Sequence, residues 1–194
     1  MSRYTDDADR LRRELSRYAA AYPHESPVVR RFLKLLAEGR RAFDREHAAG
    51  HFTASALVFT PDLRRVLLTH HRKLDIWVQL GGHADGDANL PRAALREATE
   101  ESGLADIRAA SKGIIDIDIH PIPAYRSDPP HDHYDVRYAF IADPERPLVV
   151  SDESHDLAWV PVDRLGDFSR EASLHRAVGK ALRVVATDRT VGNR

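Results

Sequence analysis

The sequence contains no cysteine. That excludes disulfides, thiolate metal sites and a cysteine nucleophile. It also fits a reducing compartment, so the expected location is cytoplasmic. No apolar run approaches the roughly 20 residues needed to span a bilayer, and no N-terminal apolar stretch reads as a signal peptide. A membrane partner is not expected. Net charge is lacking too: 29 Lys and Arg stand against 30 Asp and Glu, leaving −1. No bulk basic field exists to draw the chain to nucleic acid. Internal repeats and low-complexity segments are absent.

Within these bounds, 194 residues, 42% hydrophobic and 30% charged, describe one ordinary globular domain with room for an extension. Residues 1–49 read as helical. Leu11, Leu15, Tyr18 and Ala19 recur at helical spacing among Arg10, Arg12, Arg13 and Arg17. After an interruption, Ser26 fits the N-cap of a second helix with Pro27 at its first position. Its apolar stripe is Val28, Phe32, Leu35 and Leu36, and Ala49-Gly50 ends it. The arginine pairs at 12–13, 30–31 and 40–41 are interleaved with Asp6, Asp7, Asp9, Glu14 and Glu38, the pattern of a solvated face. The two stripes are expected to pack on the main domain or on a second subunit, which leaves a homodimer open.

From His51 the period changes. Residues 52–59, 66–70 and 76–80 read as strands, with a turn at Thr60-Pro61-Asp62. Residues 115–119 alternate Ile with Asp, a period-2 signal for a strand with one wet face. Residues 121–130 read as a loop, 133–140 as a strand, 151–156 as a polar loop, and 157–160 as a last strand stopped by Pro161. Residues 170–185 close the chain as an amphipathic helix.

Residues 81–104 carry the chemistry. Gly81, Gly82, Asp85, Gly86, Asp87 and Asn89 are loop and cap formers. Asn89 as N-cap, Pro91 in the first turn and Gly103 as the stop delimit a helix. Glu97, Glu100 and Glu101 fall at i, i+3 and i+4 and share one face. An isolated Glu-x-x-Glu-Glu is usually a solvated acidic face. The sharper reading is a site for a hard divalent cation, which wants clustered oxygen ligands.

The spacing favours the sharper reading, because the stretch resembles the Nudix box, the signature of the Nudix hydrolases. Gly82, Arg96-Glu97-Ala98, Glu100-Glu101 and Gly103-Leu104 stand at that family's spacing. One position departs. The family's early Glu falls on Ala88, which has no ligating group; Asp87 and Asp85 lie one and three residues earlier and are the candidates to replace it. The resemblance is less specific over 51–165 and does not cover 1–49.

The resemblance implies an α/β Nudix fold, a mixed β-sheet sandwiched between α-helices. The helical extension would be 1–49, the Nudix domain 50–167, and the C-terminal helix and tail 168–194. It implies a hydrolase that cleaves the diphosphate of a nucleoside diphosphate linked to another moiety, by water attack on phosphorus with Mg2+ or Mn2+. The physics agrees: a phosphoanhydride repels an anionic nucleophile, so cations must neutralise it, orient it and acidify the water. Glu97 and Glu101, one turn apart, are the first choice as metal ligands. Glu100 is a ligand or the water-orienting base. The Gly81 carbonyl is a further ligand candidate, and Arg96 either anchors the loop and orients the carboxylates or forms a surface pair with Glu100.

For substrate, the candidates are His83 in the motif loop, His131 and His133, and an acid at Glu153 or Asp152. The His-x-His spacing puts both imidazoles on one side of a strand, facing a metal or phosphates or forming a surface pair. His120 is placed to join them. Trp77 is a candidate to stack on a base or to fill core. The partner is then a small nucleoside diphosphate derivative, its identity set by loops 121–133 and 151–156. Two other classes remain. A Nudix-fold sensor without catalysis is supported only by Ala88. Isopentenyl diphosphate isomerases share the fold, but that activity is associated with a cysteine this chain lacks.

Overall fold

The computed structural model describes residues 3–124 and 129–192; residues 125–128 of the expected 121–130 loop lie outside the described residues. Strand β1 (His51–Phe59) is the axis. It is buried along its whole length, as a strand covered on both faces must be. One edge pairs in parallel with β7 (His131–Ile141) over the full strand. The other edge is divided between β4 (Leu80–His83) and β2 (Arg65–His71), both antiparallel. Beyond β2 lie β3 (Ile76–Val78) and β8 (Ser154–Pro161); beyond β7 lie β5 (Arg108–Ala109) and β6 (Asp116–Ile122). The sheet is mixed and forks around β1.

Alternation along β1 builds two cores. Phe52, Ala54, Ala56 and Val58 face one side, under α1 (Arg3–Ala21), α2 (Ser26–Leu36) and α3 (Leu90–Ser102). Leu57 and Phe59 face the other, where Leu165 of a short α4 (Leu165–Phe168) and Leu174, Val178 and Ala181 of α5 (Ala172–Gly192) pack. The mixed sheet therefore lies between helical layers, as expected.

The N-terminal helices belong to the first core: Leu11, Leu15, Tyr18, Phe32, Leu35 and Leu36 are all buried in it. The stripes that left a homodimer open are covered by their own chain. Helix α2 ends at Leu36, well before Ala49-Gly50. A 3-10 turn follows at Gly39–Phe43, and Gly39 takes φ 74°, which breaks the helix. Ser26 is the first helical residue and not a side-chain cap.

Three strand limits and the face of one strand depart most from the sequence expectation. The segment 76–80 divides at Gln79, because β3 pairs with β2 and β4 with β1. Strand β6 continues through Pro121 to Ile122. Proline is tolerated there because β6 pairs only with β7 and its outer edge needs no N–H. Strand β8 starts at Ser154, inside the expected polar loop. The strand whose face departs is β6. The Ile/Asp alternation is a strand, but its acidic face is not wet. Asp116 is fully buried and meets Lys180 Nζ at 2.7 Å, Arg176 at 3.0 Å and Arg137 at 3.3 Å. Helix α5 carries two of those cations over β6, which local periodicity cannot show.

Candidate active site

Helix α3 is delimited as the sequence implies. The Asn89 side chain accepts from the Arg92 N–H at 3.2 Å, Pro91 sits in the first turn, and Gly103 closes the helix at φ 72°. Leu90, Ala93, Ala94 and Ala98 form its buried stripe. Glu97 and Glu101 lie seven and eleven residues after Leu90, on the same stripe. Two carboxylates thus occupy positions where a helix normally carries core residues. Glu101 is 9% exposed. The Glu100 side chain, off the stripe, is 63% exposed.

The two glycines make room for these carboxylates, from a strand and not from a loop. Gly82 lies opposite Ala54 and Gly81 opposite Ser55 in the β4–β1 pair. A Cβ on Gly82 would stand 2.3 Å from Glu97 Oε2. A Cβ on Gly81 would stand 2.7 Å from the Ala54 carbonyl oxygen. The Gly81 N–H donates to Glu101 Oε1 at 3.0 Å. Arg96 donates to the His83 carbonyl at 2.8 Å and to Glu97 Oε1 at 2.6 Å. It reaches Asp85 at 3.6 Å and Glu100 only at 4.0 Å. Of its two expected roles, the tie between strand end and helix has the shorter bonds.

Burial pushes Glu101 up to about 8, against the pull of the Gly81 N–H, and the charges of Glu97, Glu153 and Glu100 add to the rise. Burial also raises Glu97, despite Arg96. Grouped hard oxygen donors that resist their own ionisation are chemically suited to a divalent cation. Glu153, exposed in the turn before β8, is close enough to act on both Glu101 and His83.

The histidines gather at one end of the sheet. His51 and His133 are register partners on β1 and β7, and His120 and His133 on β6 and β7. The His133 ring lies 4.8 Å from His51, 5.1 Å from His83, 5.2 Å from His131 and 5.4 Å from His120. Trp77 is elsewhere: it stacks on His70 at 5.1 Å and meets Phe168 edge-on at 5.5 Å, against the second core. Trp159 on β8 packs instead against the first core, which contains the α3 stripe, and its indole Nε1 is buried without a partner.

Comparison with known proteins settles the family. The family model described as the NUDIX domain matches residues 50–182. The chain belongs to the Nudix family. No curated protein matches its sequence. Among solved structures, this Nudix domain is similar to a Nudix hydrolase from M. smegmatis, RenU, at 22% identity and TM-score 0.52, covering 71% of this chain and 88% of that one. It is similar to a C. elegans Ap4A hydrolase at 14% and 0.51, covering 70% and 98%. It is also similar to the NUDIX domain of Shewanella oneidensis NrtR, solved with ADP ribose, at 18% and 0.50, covering 76% and 96%. At these identities the likeness speaks for the fold.

Within the Nudix box, the structure separates the two acids near Ala88. Ala88 is buried in the first core. Asp87 is held by Arg92 at 2.6 and 2.7 Å and by the Asn89 N–H at 2.9 Å, so it locks the loop. Asp85, at φ 50°, is turned toward Arg96. His51 and Trp159 were passed over in the sequence. His51 is a single polar residue opening an apolar strand, and the pairing of β1 with β7 and β4 brings it to the other imidazoles.

Proposed function

We propose that this Nudix domain is a divalent-metal-dependent pyrophosphohydrolase acting on a nucleoside diphosphate linked to another moiety. One observation carries the reading. Glu97 and Glu101 stand on the buried stripe of α3, against the Gly81-Gly82 strand that leaves them room. In this reading they hold Mg2+ or Mn2+, with the Gly81 carbonyl and Glu100 beside them. When bound, the cation neutralises the diphosphate and makes water a better nucleophile. Glu100, exposed at the rim, is assigned to orient that water and take its proton. Arg96 fixes Glu97 and the end of β4 as one unit. Glu153 acts on both Glu101 and His83, and it and His83 are assigned to the substrate's phosphate side. Trp77 stacks on His70 against the second core, so the tryptophan assigned to the base is Trp159, which packs against the first core beside the α3 stripe. The substrate is a small molecule, and the cytoplasmic expectation belongs to this reading.

The test is chromatographic detection of the two phosphorylated fragments that water attack at a phosphoanhydride leaves, from a panel that begins with ADP-ribose and Ap4A, the compounds named for two of the similar structures. It is run with Mg2+ and with Mn2+, beside Glu101→Gln. Metal-dependent turnover lost in the variant supports the hydrolase. No turnover, with nucleotide binding that persists in the variant, would sink it. That outcome would favour a sensor, the reading to which the buried Ala88 belongs.

A further inference from the structure

Among the described residues, His51, His131 and His133 bring one ligand nitrogen each within 4.8 Å of one another. His51 is 1% exposed. Neither of its ring nitrogens is in hydrogen-bonding geometry with any group, although the His47 carbonyl lies close enough to act on the ring. A buried imidazole whose nitrogens are not fully hydrogen-bonded is costly, because neither water nor protein solvates its lone pair. Something that accepts its lone pair would remove that cost.

The geometry of the other two points to what that is. His131 Nδ1 lies 2.9 Å from the Pro129 carbonyl, which can only accept. The ring proton is therefore on Nδ1, and Nε2 presents a lone pair. Metal-bound histidines are oriented by this kind of outer hydrogen bond to a backbone carbonyl. That Nε2 lies 3.3 Å from His133 Nε2. Two imidazole nitrogens at about 2.0–2.1 Å from one tetrahedral ion stand about 3.3–3.4 Å apart. The widest separation allowed within the trio exceeds that edge by about 1.5 Å, a gap that small ring rotations close.

We propose that His51, His131 and His133 form a second metal site, for a borderline transition ion of the Zn2+ or Co2+ class. Three neutral imidazoles without a carboxylate suit such ions and suit Mg2+ poorly. The fourth position opens toward His83, whose ring lies 5.1 Å from His51 and 5.1 Å from His133. The site differs from the glutamate cluster in donor type and in position: its ligands come from β1 and β7, not from α3. An ion there ties together the starts of two parallel strands.

The test uses the full chain, stripped with EDTA and titrated with Co2+ in excess Mg2+. The readouts are the visible ligand-field absorption of Co2+ and the metal retained after desalting. The expected result is one Co2+ per chain with tetrahedral absorption. It is lost in His131→Ala and His133→Ala and kept in Glu101→Gln. His51→Ala opens a buried position, so the weight rests on His131→Ala, with circular dichroism to check its fold. Absence of a retained equivalent in the wild type overturns the proposal. So does full binding in folded His131→Ala, or loss of binding in Glu101→Gln, which would place the ion at the glutamates. None of these readouts requires turnover, so the site stands or falls independently of the hydrolase reading.

Discussion

In metal-free solution Glu101 should make the protein less stable as pH rises. Its carboxyl is raised from 4.5 to about 8 in the folded chain. The folded state therefore holds the proton where the unfolded chain has released it. The contribution is complete below pH 4.5 and is lost as pH climbs toward 8. A rise of about 3.5 units at 1.36 kcal/mol each gives a ceiling of about 5 kcal/mol, of which roughly 3–4 falls between pH 5 and pH 8. That is a large share of the 5–15 kcal/mol typical of a domain. Glu101→Gln removes the ionisation and keeps an oxygen for the Gly81 N–H. Urea unfolding in EDTA at pH 5 and pH 8 measures both. The wild type should lose about 3 kcal/mol more than the variant across that interval. Glu97, raised for the same reason, leaves a smaller slope in the variant. Excess Mg2+ should flatten the wild-type curve, because the cation takes the place of the proton. Parallel pH curves for the two proteins would refute the reasoning: Glu101 would then be solvated and no buried acidic site would exist.

Other outcomes follow from the same contacts. Gly82→Ala should keep the fold but push the Glu97 carboxylate aside, since the added Cβ meets the end of a flexible side chain. Turnover should fall roughly 100-fold with little change in melting temperature. Lys180→Met should destabilise the protein by about 3 kcal/mol in urea unfolding, because buried Asp116 and partly buried Glu25 lose the ammonium at 2.7 and 2.6 Å. Arg137 and Arg176 still partner Asp116, so a full collapse is not expected. Asn89→Ala should cost about 1 kcal/mol through the lost cap, and somewhat more through its 3.0 Å bond to Asp7 on α1. Unchanged stability in that variant would mean α1 is not held there.

Much of the candidate site was legible because it is local. Asn89, Pro91 and Gly103 delimit α3 by backbone chemistry that acts within a few residues. Helical spacing then places Glu97 and Glu101 on one stripe wherever the helix docks. The β1, β2 and β7 segments were readable for the same reason: apolar runs and turn residues are short-range signals. What failed was each inference that needed a neighbour from afar. Alternation in β6 specified a strand, but whether Asp116 met water depended on Lys180 and Arg176 arriving from α5. Gly81-Gly82 looked like a loop because glycine usually marks one. Here glycine answers a close approach by β1 and by Glu97 in the middle of a ladder.

The sequence by itself therefore determined the family, the acidic helix and the order of the elements, because these rest on spacing along the chain. Only the tertiary structure decided that the N-terminal helices complete the first core, that Trp159 rather than Trp77 lies against the side of the sheet covered by α3, and that Asp85 rather than Asp87 turns to Arg96. It alone decided that five histidines from four strands meet at one end of the sheet. The reason is physical. Helical and strand periods say which side chains share a face, but strand register and helix docking are set by the burial of the whole chain, and those choose which faces meet.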